Sequence, residues 1–567
     1  MPFVNLARHP HAPRIIMLAP LCGCLLLLGW LLAWADRGFV FSDESFYLLN
    51  AKAPASYNLV QTQFGYLLQP FYTLTGGDVA AVRRIFILLT AGAGILVGWI
   101  WSRNAPLESR IPLIAIAGAS GLAYYFYWVF TPSYNLLIFI SGLLLIGAIG
   151  ALYTSRALPL TGVIVSVAAV VSALAKIPSA ALFAVIVGVA IVLLSRTIGR
   201  ALLAIGAITL AIIGVAATLL PVSRIIEQLT AYMTFFGPTS PLGRGLFEDL
   251  AGFLFSLRGG HLVLGWIGIL ALSVLSLRPI SARTDRTLRS CVALYAVASI
   301  VLVVRHRNVE FFGLDVANLA STAAMMAILV CRDFRLGISF FLMLLFPWAA
   351  GIGTGVYLPA SVATFHGGQF AIVAAIAIYF ATPKAPLLRA AGFLIVLCYP
   401  VFAIQYAINN PYRVFAPVAE QTQLVPINSA GARLRLDPAA ALFVHKLRSI
   451  ARNEGFCEGE PMIDLSGLSP GIAYVMGALP PGFAWLPAGY RFSDNFASFV
   501  LGSVAREVID RSWLVVPVGK PAFPETVNRL GLAELEGRYR KVGETMTTPQ
   551  GDVFELFAPS ARVPCRS

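Results

Sequence analysis

Two neighbouring carboxylates, Asp43 and Glu44, lie in the stretch Ser42-Asp43-Glu44-Ser45-Phe46-Tyr47-Leu48-Leu49-Asn50-Ala51, just after the first long apolar run. At helical spacing Phe46, Leu48 and Leu49 share one side, which predicts an amphipathic helix on a membrane surface. Asp43 then stands at the helix N-terminus, where the dipole and orphan amides favour an ionised carboxylate. Such a group can act as general base toward a hydroxyl or amide acceptor, with Glu44 as its partner. The plainer reading makes Asp43 a helix cap and Glu44 a solvated surface residue. Cations stand near the same side of the apolar slab: Arg83 and Arg84, Lys176 ahead of Pro178, and Arg305 and Arg307 around His306. Charges held there cost free energy unless something rewards them. A phosphate at headgroup depth would, since Arg offers it a planar, permanently charged fork. Snorkelling to lipid phosphates, or pairing with Glu310 and Asp315, is the alternative. Tyr47, Tyr134, Asn135 and His306 are candidates to line a cavity between these groups. The run Tyr124-Tyr125-Phe126-Tyr127-Trp128 reads as an interfacial aromatic belt, or else as a cavity wall. No His/Cys/Asp set has zinc spacing and no Asp-x-Asp string occurs, so no metal is expected. Gly351-Ile352-Gly353-Thr354-Gly355 lacks the Lys-Ser/Thr of a phosphate cradle and reads as a turn. His366 says nothing alone.

The elements that must position these residues follow from composition. The chain has 567 residues, 58% hydrophobic and only 12% charged, where a soluble domain carries about 25% charged residues. With a mean hydropathy of +0.79, a soluble enzyme is excluded. Scattered Gly and Pro amid so much apolar sequence exclude disorder and a fibrous repeat. Thirteen spans are expected, near 15–35, 82–101, 111–130, 136–154, 159–175, 178–195, 201–220, 261–277, 290–304, 317–331, 336–350, 366–382 and 390–407. The first is too long for a cleaved signal peptide. An odd count puts the termini on opposite sides. The N-terminal tail and alternate loops hold 15 Lys/Arg against 3 Asp/Glu, whereas the opposite loops hold 10 against 9 and the tail after 407 holds 16 against 15. By the positive-inside rule the N-terminus is cytoplasmic and the tail extracytoplasmic, periplasmic in a Gram-negative bacterium. The positive charge thus reports orientation and does not point to nucleic acid.

The expected fold is a multi-pass α-helical membrane domain, 1–407, with a first outer loop at 36–81, and a small C-terminal extracytoplasmic α/β domain, 408–567. In the latter, 462–465, 512–518 and 552–557 pattern as strands, and 495–510 and 522–531 as helices. Cys457 and Cys565 could form a disulfide in that oxidising compartment, or remain two thiols. Asp464 and Ser466, with Trp485 and Tyr490, suit a sugar by pairing polar groups with an aromatic face; ordinary folding roles are the alternative.

The acidic pair within Ser-Asp-Glu-x-x-x-Tyr follows the first span. Phe64-Gly65-Tyr66-Leu67-Leu68-Gln69-Pro70 then precedes Gly76-Gly77-Asp78 and Arg83-Arg84. In this order, over about residues 15 to 200, the chain resembles the polytopic GT-C glycosyltransferases, in particular the clan of protein O-mannosyltransferases and lipid A aminoarabinose transferases. The resemblance implies a transferase that uses a polyprenyl-phosphate sugar at the outer face of the cytoplasmic membrane, with a lipid, glycan or protein acceptor. By position, Asp43 matches the catalytic acidic residue and Glu44 its partner. Arg84 or Arg83 matches the basic position of the second span, and Lys176, in Leu174-Ala175-Lys176-Ile177-Pro178, the Lys of the span-turn motif. Where the aminoarabinose transferases carry Lys before Pro in the first outer loop, this chain has Gln69-Pro70. A phosphate contact made there must come from elsewhere, for example Lys176 or Arg305. The expected chemistry is an inverting single displacement without metal or cofactor. An O-antigen polymerase or ligase would concentrate its chemistry in a late loop. A transporter or lipid flippase would show two similar halves and mid-membrane charges, and neither is seen.

Overall fold

The structure is a computed structural model. It describes residues 12–560 apart from 61, 128, 155–157, 237–250, 306–311, 353–357, 415, 490–491, 520–521, 533–534 and 536; the side chains of 12–17, 236 and 305 also lie outside the description. Long uncharged runs become helices because a helix satisfies every backbone group within itself, which a hydrocarbon slab demands. The first are α1 (Ala12–Trp34), α2 (Asp43–Lys52), α3 (Phe64–Leu74), α4 (Val79–Ser102), α5 (Leu107–Leu122), α6 (Tyr134–Thr154), α7 (Leu158–Ala175) and α8 (Ile177–Leu194). They are followed by α9 (Ile198–Leu219), α10 (Val222–Phe236), α11 (Leu257–Leu275), α12 (Ala282–Arg305), α13 (Phe312–Cys331), α14 (Phe334–Gly351), α15 (Leu358–Ala381) and α16 (Pro386–Asn409).

Among the described residues, eleven helices are long and apolar enough to cross a membrane, and the Leu18–Trp34 part of α1 adds a shorter one. The chain is a multi-pass membrane protein. The expected span at 111–130 falls short of that length. Helix α5 has 16 residues, about 24 Å at 1.5 Å per residue. A 3₁₀ segment, Ala123–Tyr127, kinked at Tyr125, follows it, so among the described residues the thirteen expected spans reduce to eleven of membrane length and the shorter one in α1.

Helix α15 lies at the centre of the bundle, buried along almost its whole length, whereas α9 and α12 turn Leu203, Leu210, Leu294 and Ile300 outward. Small residues set the closest crossings. A Cβ on Gly313 would stand 2.0 Å from the Ala363 carbonyl oxygen, so α13 and α15 meet backbone to backbone as only glycine permits.

The C-terminal region forms a hairpin of β1 (Gln423–Pro426) with β2 (Arg433–Leu436), then a four-stranded sheet. Its strands are β3 (Met462–Asp464), β4 (Trp513–Pro517), β5 (Tyr539–Thr547) and β6 (Val553–Pro559), in the order β3-β4-β6-β5. Only the β3–β4 pairing is parallel. The three expected strands are present. The expected helix at 495–510 breaks into Ser493–Gly502 and Arg506–Asp510. The hairpin, the helix Pro438–Asn453 and β5 were not anticipated. Cys457 is disulfide-bonded, and Cys565 lies outside the described residues.

This domain grips the loop after α1. The Arg435 amide donates to the Asp36 carbonyl at 2.7 Å and the Gly38 amide to the Arg435 carbonyl at 2.9 Å, so β2 runs alongside residues 36–38. The Gly471 amide donates to the Phe41 carbonyl at 2.7 Å and the Asn58 amide to the Gly482 carbonyl at 2.9 Å. The expectation of α2 as an amphipathic helix lying on the membrane is therefore corrected. Seven of its ten residues, including Leu48 and Leu49, are buried between bundle and domain. Phe46, expected to face lipid, packs near Trp485 and Phe483 of the domain.

Candidate active site

The two carboxylates that open α2 point in different directions. Glu44 is 1% exposed. Its Oε2 accepts the Val40 amide at 2.9 Å, and its Oε1 accepts Arg83 Nη2 at 2.6 Å and Nε at 3.2 Å, with the Thr131 hydroxyl as a third donor. Arg83 is equally buried. Nη1 donates to the carbonyls of Ala35 at 2.8 Å and Arg37 at 3.1 Å, and Nη2 also to that of Gly38 at 2.8 Å. Every N–H of the guanidinium thus has an acceptor. The expectation that Arg83 holds a donor phosphate is corrected on this ground: it is a clasp that fixes the turn from α1 into α2. Glu44 is spent on the same clasp and has no lone pair turned toward an accessible surface.

Asp43 stays on the accessible side. Its carboxylate Oδ2 accepts Arg413 Nη1 at 2.9 Å and the Ser42 hydroxyl at 3.3 Å, and its side chain is 26% exposed. Arg413 Nη1 also donates to the Ser42 hydroxyl oxygen at 2.9 Å, and its carbonyl accepts Gln550 Nε2 at 3.3 Å. The Arg413 backbone has φ +51°, a left-handed conformation that costs a non-glycine residue roughly 1–3 kcal/mol. The preceding residue, Tyr412, is tied through its amide to the Tyr127 carbonyl at 3.0 Å. Burial, and then the Asp43 carboxylate, hold the Tyr412 hydroxyl well above its usual pKa. It therefore stays protonated near Asp43. Neither Tyr412 nor Arg413 was singled out from the sequence. The available signal was a basic residue just after the last span, behind Asn409-Asn410-Pro411.

Behind Asp43 a column of polar and aromatic groups runs into the bundle. The Tyr47 ring lies 6.0 Å from that of Tyr134, edge to face, and Lys176 Nζ stands 5.9 Å from the Tyr134 ring centre. Burial first, then Tyr134 and Asp43, hold the Tyr47 hydroxyl well above its usual pKa, so it too remains a donor. Lys176 fills the one-residue turn between α7 and α8. It is 3% exposed, and its Nζ donates to the Ala350 carbonyl at 2.8 Å. Asn135, at the start of α6, is buried with Oδ1 unpartnered, and His366 of α15 is fully buried with both ring nitrogens unpartnered. The belt reading of 124–128 is corrected here as well. Tyr124, Tyr125 and Phe126 are buried, with the Tyr124 hydroxyl 3.1 Å from Ser133 and that of Tyr125 3.4 Å from Thr90. They are a wall of the bundle; Trp128 lies outside the described residues.

The structure brings Asp43, Tyr47, Tyr134 and Lys176 together, with Asn135 beside Tyr134 in the chain, and leaves Arg84 apart. Arg84 donates Nε to the Leu32 carbonyl at 3.2 Å and lines a different cleft, one that Asp43 does not reach. The side chains of Arg305, His306 and Arg307, with Glu310 and 353–357, lie outside the described residues. Asp315 faces Arg258 at 4.0 Å, a partner not foreseen. In the C-terminal domain Asp464 accepts the amides of Ser466, Gly467 and Ser469, at 2.9, 3.3 and 3.1 Å, and Trp485 donates to the Gly467 carbonyl at 2.9 Å. Both hold a turn together, and Tyr490 is outside the described residues. Among the described residues no group of three His, Cys, Asp or Glu side chains converges to share a metal ion.

No family model matches the chain and no curated protein matches it in sequence. Among solved structures it is similar to the crystal structure of ArnT from Cupriavidus metallidurans in the apo state. The identity is 14% and the TM-score 0.38, over 94% of this chain and 97% of that one.

Proposed function

We propose that this chain transfers a sugar from a polyprenyl-phosphate donor to a hydroxyl or amide acceptor at the face of the membrane that carries the C-terminal domain. On the charge bookkeeping of the loops that face is the outer one of a bacterial cytoplasmic membrane. The observation that carries the reading is the division between the two carboxylates: Glu44 is locked away with Arg83, and Asp43 is left accessible beside the Tyr47–Tyr134–Lys176 column.

In the proposed reaction the acceptor oxygen or nitrogen attacks the anomeric carbon and its proton passes to the Asp43 carboxylate. The bond from anomeric carbon to phosphate oxygen breaks, and its electron pair leaves on the polyprenyl phosphate. Negative charge grows on that phosphate as the bond stretches, so a cation fixed beforehand is worth more in the transition state than in the ground state. Lys176, held at the α7–α8 turn with Nζ on the Ala350 carbonyl, is the cation for this role; burial lowers its pKa to about 7, and an anionic phosphate beside it favours the charged form. Arg413 orients Asp43 through Nη1, and the protonated Tyr47 offers a donor to the sugar or the phosphate. One face of attack gives inversion. The strained Arg413 backbone fits a residue held for orientation, since such conformations persist only where surroundings impose them.

The test is transfer of a labelled sugar from polyprenyl phosphate by purified wild type and Asp43→Asn protein. Loss of transfer in a variant that still inserts and folds is the expected result. Full transfer by Asp43→Asn would overturn the assignment.

A further inference from the structure

On the other side of the Arg83 clasp, a cleft of about 470 Å³ opens between the start of α4 and the hairpin of β1 and β2. Its walls include Asp36, Thr75, Asp78, Arg84, Gly431 and Arg433. We propose that it binds the phosphate of an anionic phospholipid from the surrounding leaflet.

The charge inventory is the first support. Both carboxylates of the cleft are already used. Asp36 pairs with Arg435 at 3.1 Å, and Asp78 caps α4 by accepting the amides of Ala80 and Ala81. Among the described residues neither Arg84 nor Arg433 has a carboxylate partner, and Arg84 has committed only its Nε, to the Leu32 carbonyl. Both guanidinium groups line the hollow, and Arg84 keeps N–H donors that no protein acceptor takes among the described residues. A phosphate oxygen pair matches the fork of each. The backbone leaves room for it: a side chain added at Gly76 or Gly431, on the two rims, would meet no atom within 4 Å.

The position of the cleft selects a lipid as occupant. Leu74, directly before the rim residue Thr75, is 81% exposed. Leu88 and Leu89, one turn below Arg84 on α4, are also exposed. Arg37 lies 4.3 Å from the Trp34 ring at the end of α1, the aromatic and cationic mark of a membrane interface. The hollow therefore stands at headgroup depth, above an apolar surface that acyl chains would cover. A phosphate bound there would tie the loop 75–78 to the hairpin, and so the C-terminal domain to the bilayer.

The test is native mass spectrometry of the full chain, released from phosphatidylcholine nanodiscs doped with phosphatidylglycerol. Wild type is expected to retain one phosphatidylglycerol that the Arg84→Gln/Arg433→Gln variant holds on the order of 10- to 30-fold more weakly. Arg84→Lys/Arg433→Lys, which keeps the charge and loses the fork, is expected to bind between wild type and the Gln variant, and Asp43→Asn to keep all of the binding. Arg433→Gln alone, at an exposed position whose side chain makes no hydrogen bond or ion pair among the described residues, covers the case in which the double variant does not fold. Equal retention of phosphatidylglycerol by wild type and the Gln variants would overturn the proposal. Retention of phosphatidylcholine in its place would overturn recognition of the anion. Displacement by millimolar inorganic phosphate would overturn the lipid as occupant.

Discussion

Asp43 and Glu44 are adjacent in the chain, as are Arg83 and Arg84, and in each pair one member is sealed inside and the other left at an accessible surface. Glu44 and Arg83 meet at 2.6 Å with side chains 2% and 1% exposed, every hydrogen-bonding position filled. Asp43 and Arg413 meet at 2.9 Å with side chains 26% and 45% exposed, one of them on a strained backbone. The first pair has the features of structural fixation: low dielectric, full satisfaction, no route for a ligand. The second has those of chemistry: a charge that solvent or substrate can reach, held by a partner that orients without burying it. Successive helical residues point about 100° apart, so one turn of α2 and one of α4 suffice to separate the two tasks.

The contrast can be tested by perturbing each side. The largest effect is expected at the open pair in activity: Asp43→Asn should lower transfer by about 10²–10⁴-fold, the usual contribution of a general base, while thermal unfolding in detergent barely changes. Equal losses of activity and stability would erase the distinction. Next, Arg83→Met or Glu44→Leu alone should destabilise by roughly 3–5 kcal/mol, because each leaves a buried charge without its partner. The double variant should be milder than the sum of the two. Thermal melts and the yield of monodisperse protein report this, and additivity would show that the two charges do not interact.

A smaller effect sharpens the comparison at Arg413. Arg413→Gly relieves a left-handed backbone worth roughly 1–3 kcal/mol and removes a half-exposed ion pair worth up to about 1 kcal/mol, so the melting temperature should not fall. Transfer should still fall several-fold, since Asp43 loses its orientation; unchanged transfer would make Arg413 incidental. The smallest effect belongs to the rim pair of Lys52 and Glu458, 2.9 Å apart. The Ser429 hydroxyl and then Lys52 hold the Glu458 carboxyl below the usual carboxylate range. Its stabilisation is therefore present at neutral pH and is lost as pH falls through the depressed folded-state value. At such exposure it amounts to about 0.5 kcal/mol. Lys52→Ala should reduce that small acid sensitivity in the stability of the loop–domain contact, leaving the share due to Ser429, read by limited proteolysis across pH 3–7.

The membrane-spanning elements were largely legible from the sequence. Span positions follow from runs of apolar residues, a local property; among the described residues the segments at 15–35 and 111–130 are shorter than expected. In the latter the α-helix stops at Leu122 and the aromatic run follows as a kinked 3₁₀ segment, Ala123–Tyr127. Helix α2 was misjudged because Phe46, Leu48 and Leu49 suit a lipid surface and a protein surface equally; pattern alone cannot tell which solvent a helix face meets. The aromatic run at 124–127 was misjudged for the same reason. Strands β3, β4 and β6 showed through their alternation, whereas β5, Tyr-Arg-Lys-Val-Gly-Glu-Thr-Met-Thr, carries a bulge between Val542 and Met546 that breaks the period. In the site, residue types pointed to Asp43, Glu44, Arg83 and Lys176 as a group worth attention, without dividing them into roles.

By itself the sequence determined that the chain lives in a membrane, roughly where it crosses, and that a polar α/β region follows, because burial in hydrocarbon and strand alternation are written into short stretches. Which carboxylate stays accessible was decided only by the tertiary structure. Glu44 is taken by an arginine 39 positions away and Asp43 is oriented by one 370 positions away. Such choices depend on which distant segments the packed helices and the domain bring alongside α2, and no local pattern encodes that.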